Sequence, residues 1–503
     1  MLRSRSPVAQ NSHGGRRVRR GRRRHPHAHH LVGRRPLQGA NTAAVQDDFN
    51  GDGYRELAVG APHAANGSVE SAGAVVVLYG SASSVGTTRR TVITQATTGV
   101  PGAPEDGDDF GQTVTSADLD RDGYADLIIG APDEAIGSDY ARGSVTVVWG
   151  GSTGLKTATN ISPPAGYGEG RTYCRFGLSL ATGDMNGDGA PELSVGSGCE
   201  GATYTGPFTR TGQAAATVRE SFYGETRGVV MGDVDGDGDA DQFWLPGPTD
   251  GDLRGPVYVQ PGVKDGDPTP PSYRTELPYA DGHAGVIGDL NGDGYGDLVT
   301  AVSTDDSMSG GPDGWAHRGG EIQVLYGSAQ GITATQQPHV YYQDTAGVPG
   351  AAENGDMFGQ SLSVGDVNAD GYADVLVGSP GEAVGTLASA GTAVQLRGSA
   401  TGLTTTKAAG YTQNTAGVPG AAETADRFGA AVHLADLNKD GRAETIVGAP
   451  GENSDGCVWV ARGSTSGPVL SGSVNLCGTS SGITVRGVKG AFGGALPSAH
   501  VEL

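Results

Sequence analysis

Aromatic side chains are scarce in this sequence of 503 residues, at 6% of the chain, whereas glycine contributes 87 residues. A chain with few large side chains and so much glycine is poorly suited to long packed helices. It suits many short strands joined by tight turns. The chain exceeds the usual size of one domain, but no stretch has the composition of a linker. We therefore predict one large, repetitive, all-β domain.

Cysteine is also rare, with four residues, and none of them lies in the closely spaced pairs that zinc sites use. They form two local pairs, Cys174 with Cys199 and Cys457 with Cys477. Each separation is short enough for a disulfide to close a loop within one structural repeat. We predict these two disulfides, with buried free thiols as the alternative. Disulfides would place the protein in an oxidising compartment.

Acidic residues are missing from residues 1–46, which hold eleven arginines and five histidines. The remaining chain has 23 basic and 56 acidic side chains, a formal charge of about -33. Such a body repels nucleic acid and anionic membranes and attracts cations. We therefore expect no nucleic-acid partner and no membrane span.

The apolar core of a signal peptide is also missing from this N-terminal segment. Its paired arginines resemble a twin-arginine signal, but the hydrophobic stretch that should follow them is absent. Two interpretations of residues 1–46 remain open: a mis-assigned start of the reading frame, or a disordered basic tail. Residues 47–503 are the predicted folded domain.

One nonapeptide pattern, Asp-x-Asp/Asn-x-Asp-Gly-x-x-Asp/Glu, occurs seven times in this domain. Oxygen ligands at positions 1, 3, 5 and 9, a backbone carbonyl at position 7 and a glycine at position 6 suit a hard cation such as calcium. The helix-flanked type of calcium loop is excluded, because it needs a glutamate at position 12 and no copy has one. A short apolar run follows most copies instead and predicts a buried strand.

We predict calcium binding by up to seven loops, with position 7 contributing its backbone carbonyl. The alternative is a set of metal-free Asp-Gly turns, but converging carboxylates would repel one another without a cation. The predicted ligands are Asp48, Asn50, Asp52, Tyr54, Glu56; Asp118, Asp120, Asp122, Tyr124, Asp126; Asp184, Asn186, Asp188, Ala190, Glu192; Asp233, Asp235, Asp237, Asp239, Asp241; Asp289, Asn291, Asp293, Tyr295, Asp297; Asp366, Asn368, Asp370, Tyr372, Asp374; and Asp436, Asn438, Asp440, Arg442, Glu444.

Two further motifs keep a fixed distance from the loops. A Phe-Gly pair precedes four loops by eight residues, at Phe110, Phe176, Phe358 and Phe428. A Gly-Ala-Pro or Gly-Ser-Pro ending follows the first Asp of four loops by twelve residues, at Gly60, Gly130, Gly378 and Gly448. Together these motifs resemble the FG-GAP repeats of the integrin α-subunit propeller and its bacterial relatives, over essentially residues 47–503.

The two ends of the domain complement each other. Phe492 and Gly493 form a fifth Phe-Gly pair with no metal loop after it, whereas the loop at Asp48 has no Phe-Gly pair before it. We predict that the C-terminal strand completes the first blade, so that both ends share one blade and leave no free sheet edge. The predicted fold is an all-β, seven-bladed β-propeller with four-stranded blades.

Residues with a unique catalytic pattern are not apparent in the sequence. Ser152 lies in a Gly-x-Ser-x-Gly match, but the same turn recurs in other repeats, which favours a β-turn over a nucleophile. We expect a monomeric, extracellular binding, adhesion or scaffold module that is not an enzyme, with a protein or glycan ligand. The alternative is a propeller-based hydrolase acting on polysaccharide or lipid. The resemblance to integrins implies ligand capture on the face opposite the calcium loops.

Overall fold

A computed structural model describes residues 44–220, 226–249, 253–254, 256–263, 274–303, 317–484 and 491–497. Residues 1–43 lie outside these ranges, so the two interpretations of the N-terminal segment 1–46 stay open. Strands and turns make up nearly all of the described chain, with one short 3₁₀ helix at Glu452–Ser454. Within the described ranges no helix has both the length and the apolar character needed to cross a membrane.

The strands form seven antiparallel blades in a ring, as predicted. Blades 1 to 3 consist of β1 (Leu57–Ala61), β2 (Ala74–Leu78) and β3 (Arg90–Ile93); β4 (Thr113–Ala117), β5 (Asp126–Ala131), β6 (Ser144–Trp149) and β7 (Thr157–Ile161); and β8 (Ser179–Gly183), β9 (Glu192–Gly196), β10 (Gly201–Thr205) and β11 (Ala216–Glu220). Blade 4 consists of β12 (Gly228–Gly232), β13 (Asp241–Leu245), β16 (Val257–Gln260) and β17 (Thr275–Leu277), with a small hairpin of β14 (Pro248–Thr249) and β15 (Leu253–Arg254).

Blades 5 to 7 repeat the same order from the centre outwards. They consist of β18 (Ala284–Gly288), β19 (Asp297–Val302), β20 (Glu321–Leu325) and β21 (His339–Tyr341); β22 (Ser361–Gly365), β23 (Asp374–Ser379), β24 (Thr392–Arg397) and β25 (Thr404–Tyr411); and β26 (Val432–Ala435), β27 (Glu444–Ala449), β28 (Cys457–Ala461) and β29 (Val474–Cys477). The inner strands line a central cavity of about 580 Å³.

The middle strands of each blade carry the core. Every residue of β5 and β6 is buried, whereas every residue of the outer strand β7 except the last is exposed or partly buried. Middle strands are covered by neighbouring blades on both faces. Their sequences are therefore continuous apolar runs rich in β-branched residues. Ile128 of β5 lies opposite Val147 of β6, which places two such residues together in the core.

The Phe-Gly and Gly-Ala-Pro motifs join neighbouring blades. All five phenylalanines of the Phe-Gly pairs are at most 1% exposed. Behind the phenylalanine, the Gly-Ala-Pro glycine lies directly against the next blade: a Cβ at Gly130 would lie 2.3 Å from the carbonyl oxygen of Gly177. A larger residue at this glycine would therefore force two blades apart.

The ring closes at blade 1 as predicted. The N–H of Gly493 donates to the carbonyl of Gly60 at 3.1 Å, and the N–H of Gly60 donates to the carbonyl of Ala495 at 2.9 Å. The same Phe-Gly to Gly-Ala-Pro hydrogen bond occurs within blade 2, from Gly111 to Gly130 at 3.0 Å. Residues 491–497 therefore take the inner position of blade 1, beside its three other strands.

Both predicted disulfides are present. Cys174 pairs with Cys199 near the start of blade 3, and Cys457 pairs with Cys477 between β28 and β29 of blade 7. Cys457 and Cys477 are direct cross-strand partners in the sheet, so this disulfide lies between two adjacent strands. Neither disulfide joins two blades that are distant along the chain.

Candidate metal centre

The seven acidic loops lie at one end of the blades. In blades 2 to 7 each loop connects the inner strand to the second strand, and in blade 1 the loop directly precedes β1. Because these strands are antiparallel, all seven loops emerge on the same side of the ring, here called the metal-loop face. The Phe-Gly segments and the loops between second and third strands lie at the other end, here called the opposite face.

All seven loops share the same internal hydrogen bonds. The N–H of the position 6 glycine donates to Oδ2 of the position 1 aspartate at 2.7 to 3.0 Å. The N–H of position 7 donates to Oδ1 of the position 5 aspartate at 2.7 to 3.2 Å. The glycines have φ between 81° and 94°, a region that strongly favours glycine. The repeated sequence thus produces one repeated backbone geometry.

Position 4 is a conformational requirement that the sequence analysis missed. Its residue also has a positive φ in every loop, including three that are not glycine: Arg121, Ala369 and Lys439, with φ of 59°, 58° and 62°. The available signal was the presence of glycine at this position in the other four copies. Two left-handed residues in each loop bring its carboxylates to one side.

The position 9 carboxylates are the most buried acids of the loops, at 0 to 3% exposure. In six loops they accept the N–H of position 2 at 2.7 to 2.9 Å, which ties the loop to the start of the second strand. In the loop of Asp366, Oδ2 of Asp374 accepts from Arg397 at 2.7 Å. These carboxylates therefore anchor the loops as well as facing the predicted cation.

Burial, reinforced by the other carboxylates of the same loop, raises the pKa of every position 9 group. The pKa rises to about 8 for Glu56, Asp126 and Glu192, to about 7 for Asp297 and Glu444, and to about 6 for Asp241 and Asp374. Backbone N–H donors lower these pKa values only in part. The ionised loops therefore hold negative charge that a nearby cation would stabilise.

In three loops, three carboxylates each place an oxygen within 4.8 Å of the others, and any of these clusters could hold a metal ion. The clusters are Asp48, Asp52 and Glu56; Asp118, Asp120 and Asp122; and Asp233, Asp235 and Asp241. The other four loops begin at Asp184, Asp289, Asp366 and Asp436, and like the loop of Asp48 they have asparagine at position 3. Among the described residues their acids do not form such a cluster, although their backbone hydrogen bonds are the same.

Unsatisfied oxygens inside the loops support the fit of a cation. Within the described ranges, Oδ1 of Asp120, Oδ1 of Asp184 and Oδ1 of Asn368 are buried and have no hydrogen-bond partner. Buried polar atoms normally have a partner, because an unsatisfied one costs about 1–3 kcal/mol. All side-chain donors of the loops are carboxylate or amide oxygens, the ligands preferred by hard divalent cations.

Arg210 is a loop-contacting residue that the sequence analysis missed. It belongs to the turn between β10 and β11 of blade 3, and it reaches the loop of Asp118 in blade 2. Its Nε lies 2.5 Å from Oδ2 of Asp120, and its Nη2 lies 2.5 Å from Oδ2 of Asp122. One of the seven loops therefore has a fixed positive charge on two of its predicted ligands.

Buried or partly buried glutamates also occur on the opposite face, in pairs with glutamine. Nε2 of Gln95 donates to Glu134, and Nε2 of Gln343 donates to Glu382, each at 2.5 Å, and Gln413 pairs with Glu452 in the same way. Burial, together with the neighbouring Asp108, raises the pKa of Glu134 to about 7. The sequence analysis did not identify these pairs. Their signal is a glutamate four residues after the first glycine in three of the four Gly-Ala-Pro or Gly-Ser-Pro motifs, whereas the copy at Gly60 has Ala64 at that position.

Comparison with known proteins agrees with the predicted resemblance. A sequence model of the FG-GAP repeat matches residues 40–78, 110–148, 358–394 and 428–461. These segments contain the loops at Asp48, Asp118, Asp366 and Asp436.

Two kinds of relatives match part of the chain. Phosphatidylinositol-glycan-specific phospholipase D of Bos taurus is 30% identical over 192 residues, which cover 37% of this chain and 21% of the relative. Integrin alpha-PS2 of Drosophila melanogaster is 33% identical over 173 residues, covering 33% of this chain and 10% of the relative. Integrin alpha-5 of Xenopus laevis is 33% identical over 155 residues, covering 30% and 14%. The chain thus matches about a fifth or less of the length of these relatives.

The prediction that the protein is not an enzyme is wrong. Relatives from Bos taurus, Rattus norvegicus and Homo sapiens, each 29 or 30% identical over about a third of the chain, bear the name of an enzyme, phosphatidylinositol-glycan-specific phospholipase D. The prediction rested on the repetition of every candidate motif. Repetition describes the scaffold, however, and a scaffold does not determine which chemistry accompanies it.

The matched repeats, the hydrogen bonds shared by the seven loops and the closed ring agree with one another. The chain contains FG-GAP repeats and folds as a seven-bladed β-propeller, and about a third of it is similar to integrin α subunits.

Proposed function

We propose that this protein is an extracellular propeller that binds calcium through its seven acidic loops and uses the opposite face to bind a protein or glycan. The observation that carries this proposal is the geometry of the loops, in which the aspartates at positions 1 and 5 accept the same backbone hydrogen bonds in every copy. Seven copies of one charged loop in a single fold point to a common structural ligand.

Calcium suits these loops better than magnesium. In each loop the side chains of positions 1, 3, 5 and 9 and the carbonyl of position 7 would hold the ion. Calcium accepts such large and flexible sets of oxygen ligands, whereas magnesium keeps a strict octahedral geometry and several of its waters. Bound calcium would supply positive charge to the loop carboxylates and join the inner strand to the second strand of each blade.

The two disulfides support an extracellular location. Disulfides persist in oxidising compartments and are rare in the cytosol. Extracellular calcium modules hold the ion with dissociation constants of about 10⁻⁴ to 10⁻³ M, so they are loaded outside the cell and largely empty at cytosolic calcium. The disulfides and the expected calcium affinity both favour a protein that reaches its full stability only outside the cytoplasm.

Thermal unfolding with and without calcium tests the metal assignment. At a calcium concentration about 100 times its dissociation constant, each site that binds only the folded state adds about 2.7 kcal/mol. We expect a chelator to lower the Tm strongly, calcium to restore it, and equal magnesium to restore it only in part. Equilibrium dialysis should give up to seven bound calcium ions per chain. A Tm that does not respond to the chelator would refute the assignment.

Hydrolysis of a glycolipid is a second candidate function, favoured by the relatives that are named phosphatidylinositol-glycan-specific phospholipase D. The measurement is release of a phosphatidylinositol-glycan-anchored reporter from vesicles by the purified full chain in calcium. Release in proportion to protein concentration would support hydrolysis. Absence of release, with ligand binding intact, would favour the binding role alone.

A further inference from the structure

Two tyrosines on the opposite face are unusually exposed. Tyr140 and Tyr173 are 58% and 60% exposed, and their rings meet edge to face with centroids 5.4 Å apart. Tyr140 lies in the connection between β5 and β6 of blade 2, and Tyr173 lies in the segment before β8 of blade 3. Large aromatic surfaces that face solvent are typical of recognition sites, since burying them on a ligand gains free energy.

A polar cavity of about 470 Å³ lies beside these rings. Its lining includes a positive and a negative side chain that already pair, since Arg175 holds both carboxylate oxygens of Asp133 at 2.8 and 3.1 Å. His63 and Asp109 also line it. The cavity therefore offers hydrogen-bond donors and acceptors close together, with little uncompensated charge. Its volume is in the range of small-molecule sites.

One carboxylate oxygen of Asp109 is available to accept a hydrogen bond from a ligand. In the described part of the chain its Oδ1 atom is buried and has no hydrogen-bond partner, and the ring nitrogen Nε2 of His63 lies 3.9 Å from it. The backbone of Asp109 is also held in the left-handed region, with φ of 54°. An unsatisfied acceptor on a strained backbone is typical of a site that is completed by a ligand.

The cavity wall is braced by a disulfide. Cys174 lies between Tyr173 and Arg175 in sequence, is fully buried and is bonded to Cys199. The N–H of Gly198 donates to the carbonyl of Cys174 at 2.8 Å, which fixes the same segment again. Tyr173 and Arg175 thus project from a rigid backbone, and rigidity lowers the entropy cost of binding.

A second cavity continues the site on the other side of Tyr140. It measures about 650 Å³, and Tyr140 lines both cavities. Its lining includes three acids, Glu70, Glu105 and Asp106. Two adjoining cavities that share one aromatic ring fit an elongated ligand rather than a single compact molecule. The three acids would repel a polyanion.

We propose that the tyrosine groove binds an uncharged oligosaccharide; its residues are His63, Asp109, Asp133, Tyr140, Tyr173 and Arg175. The apolar faces of sugar rings pack on the two tyrosines, and sugar hydroxyls, which both donate and accept, bond to Asp109 and its polar neighbours. Arg175 offsets the charge of Asp133, so the cavity beside the tyrosines has little net charge. The three acids of the second cavity would attract a basic peptide, which is therefore the competing ligand in the test. This inference rests on the proposed binding role and specifies its ligand class.

Binding of the calcium-loaded full chain to uncharged oligosaccharides tests this proposal. The panel consists of hexasaccharides of glucose, mannose, xylose and N-acetylglucosamine, measured by isothermal titration. We expect at least one of them to bind, and Tyr140→Ala and Tyr173→Ala each to weaken it about tenfold or more. Asp109→Asn should weaken it less. Tyr279→Ala is the matched control, because Tyr279 is 38% exposed and lines neither cavity, and it should bind like the wild type.

Three outcomes would overturn the proposal: no hexasaccharide binds at millimolar concentration, the two tyrosine variants bind like the wild type, or a basic peptide binds in a tyrosine-dependent way instead. The Tm of every variant, with and without chelator, is measured on the same samples. A calcium-dependent Tm without oligosaccharide binding would overturn the ligand class alone. A calcium-independent Tm would overturn the proposed calcium-dependent function.

Discussion

The two faces of the propeller differ in how regularly their features recur from blade to blade. On the metal-loop face the same two hydrogen bonds occur in all seven loops, with distances that vary by a few tenths of an ångström. On the opposite face blades 2 and 3 combine two exposed tyrosines with a disulfide beside them, a combination that the described parts of the other blades do not repeat. Features that every blade shares stabilise the ring, and a feature that occurs once is where selective recognition can arise.

The largest effect is expected from a position 9 carboxylate. Asp126→Ala removes a predicted calcium ligand and leaves two buried N–H groups, of Leu119 and Gly150, without their acceptor. We expect a loss of about 3–5 kcal/mol in the free energy of unfolding, because one partner of a buried polar network is removed. Urea unfolding in calcium measures it. Asp139→Ala, an exposed acid of the same blade on the opposite face, should cost less than about 0.5 kcal/mol.

The two disulfides allow stability and recognition to be separated. They close segments of similar length, with separations of 25 and 20 residues. Replacing both cysteines of either pair by serine should therefore cost a similar amount, about 2–4 kcal/mol in urea unfolding. Only the Cys174 and Cys199 double variant should also weaken oligosaccharide binding, because only that pair braces the tyrosine groove. Equal binding losses in both variants would contradict this distinction.

The Gln-Glu pairs recur in three blades on the opposite face. A substitution in one pair tests whether this recurring feature affects the free energy of unfolding. The pKa of Glu134 is raised from 4.5 to about 7 by burial and Asp108, so its ionisation opposes folding. That cost is absent below pH 4.5 and grows until the pH passes about 7. Relative to the wild type, Glu134→Gln should gain up to about 3 kcal/mol between these pH values. Urea unfolding at several pH values measures the gain, and parallel curves would contradict it. Glu169→Gln, which neutralises an exposed acid that is not among the charges acting on Glu134, is the control.

The smallest effect concerns the loop of Asp118, in which an arginine of the neighbouring blade pairs with two predicted ligands. Arg210 is 45% exposed and pairs with Asp120 and Asp122, so it competes with a cation for two ligands. Arg210→Ala should raise the calcium affinity of this loop about fivefold at most, since exposed ion pairs contribute about 1 kcal/mol or less. Calcium titration by calorimetry measures the change. Arg219→Ala, which removes an exposed arginine paired with Glu200, should leave calcium binding unchanged.

The sequence predicted the features that depend on local spacing. The position 6 glycine and the position 1 aspartate lie five residues apart, so their hydrogen bond follows from the nonapeptide itself. Ring closure was predictable because Phe492 and Asp48 carry the two halves of one repeat. Calcium occupancy remains a prediction, supported by the geometry of the loops.

Features that depend on contacts between distant residues were not predictable in this way. Arg210 reaches a loop 90 residues earlier in the chain, and no periodic signal connects the two. Tyr140 and Tyr173 come together only because blades 2 and 3 are neighbours in the ring. The failed exclusion of enzymatic activity has the same origin, since repeats report on the packing of a scaffold and contain little information about the unique parts of a protein.

The closure of blade 1 by residues 491–497 determines when the ring can be completed during synthesis. The ribosome delivers Gly60 early and its partners Gly493 and Ala495 more than 430 residues later. Until then blade 1 lacks its inner segment, and the growing chain has an open edge that other chains could pair with. Folding is therefore completed only after the whole domain has been made.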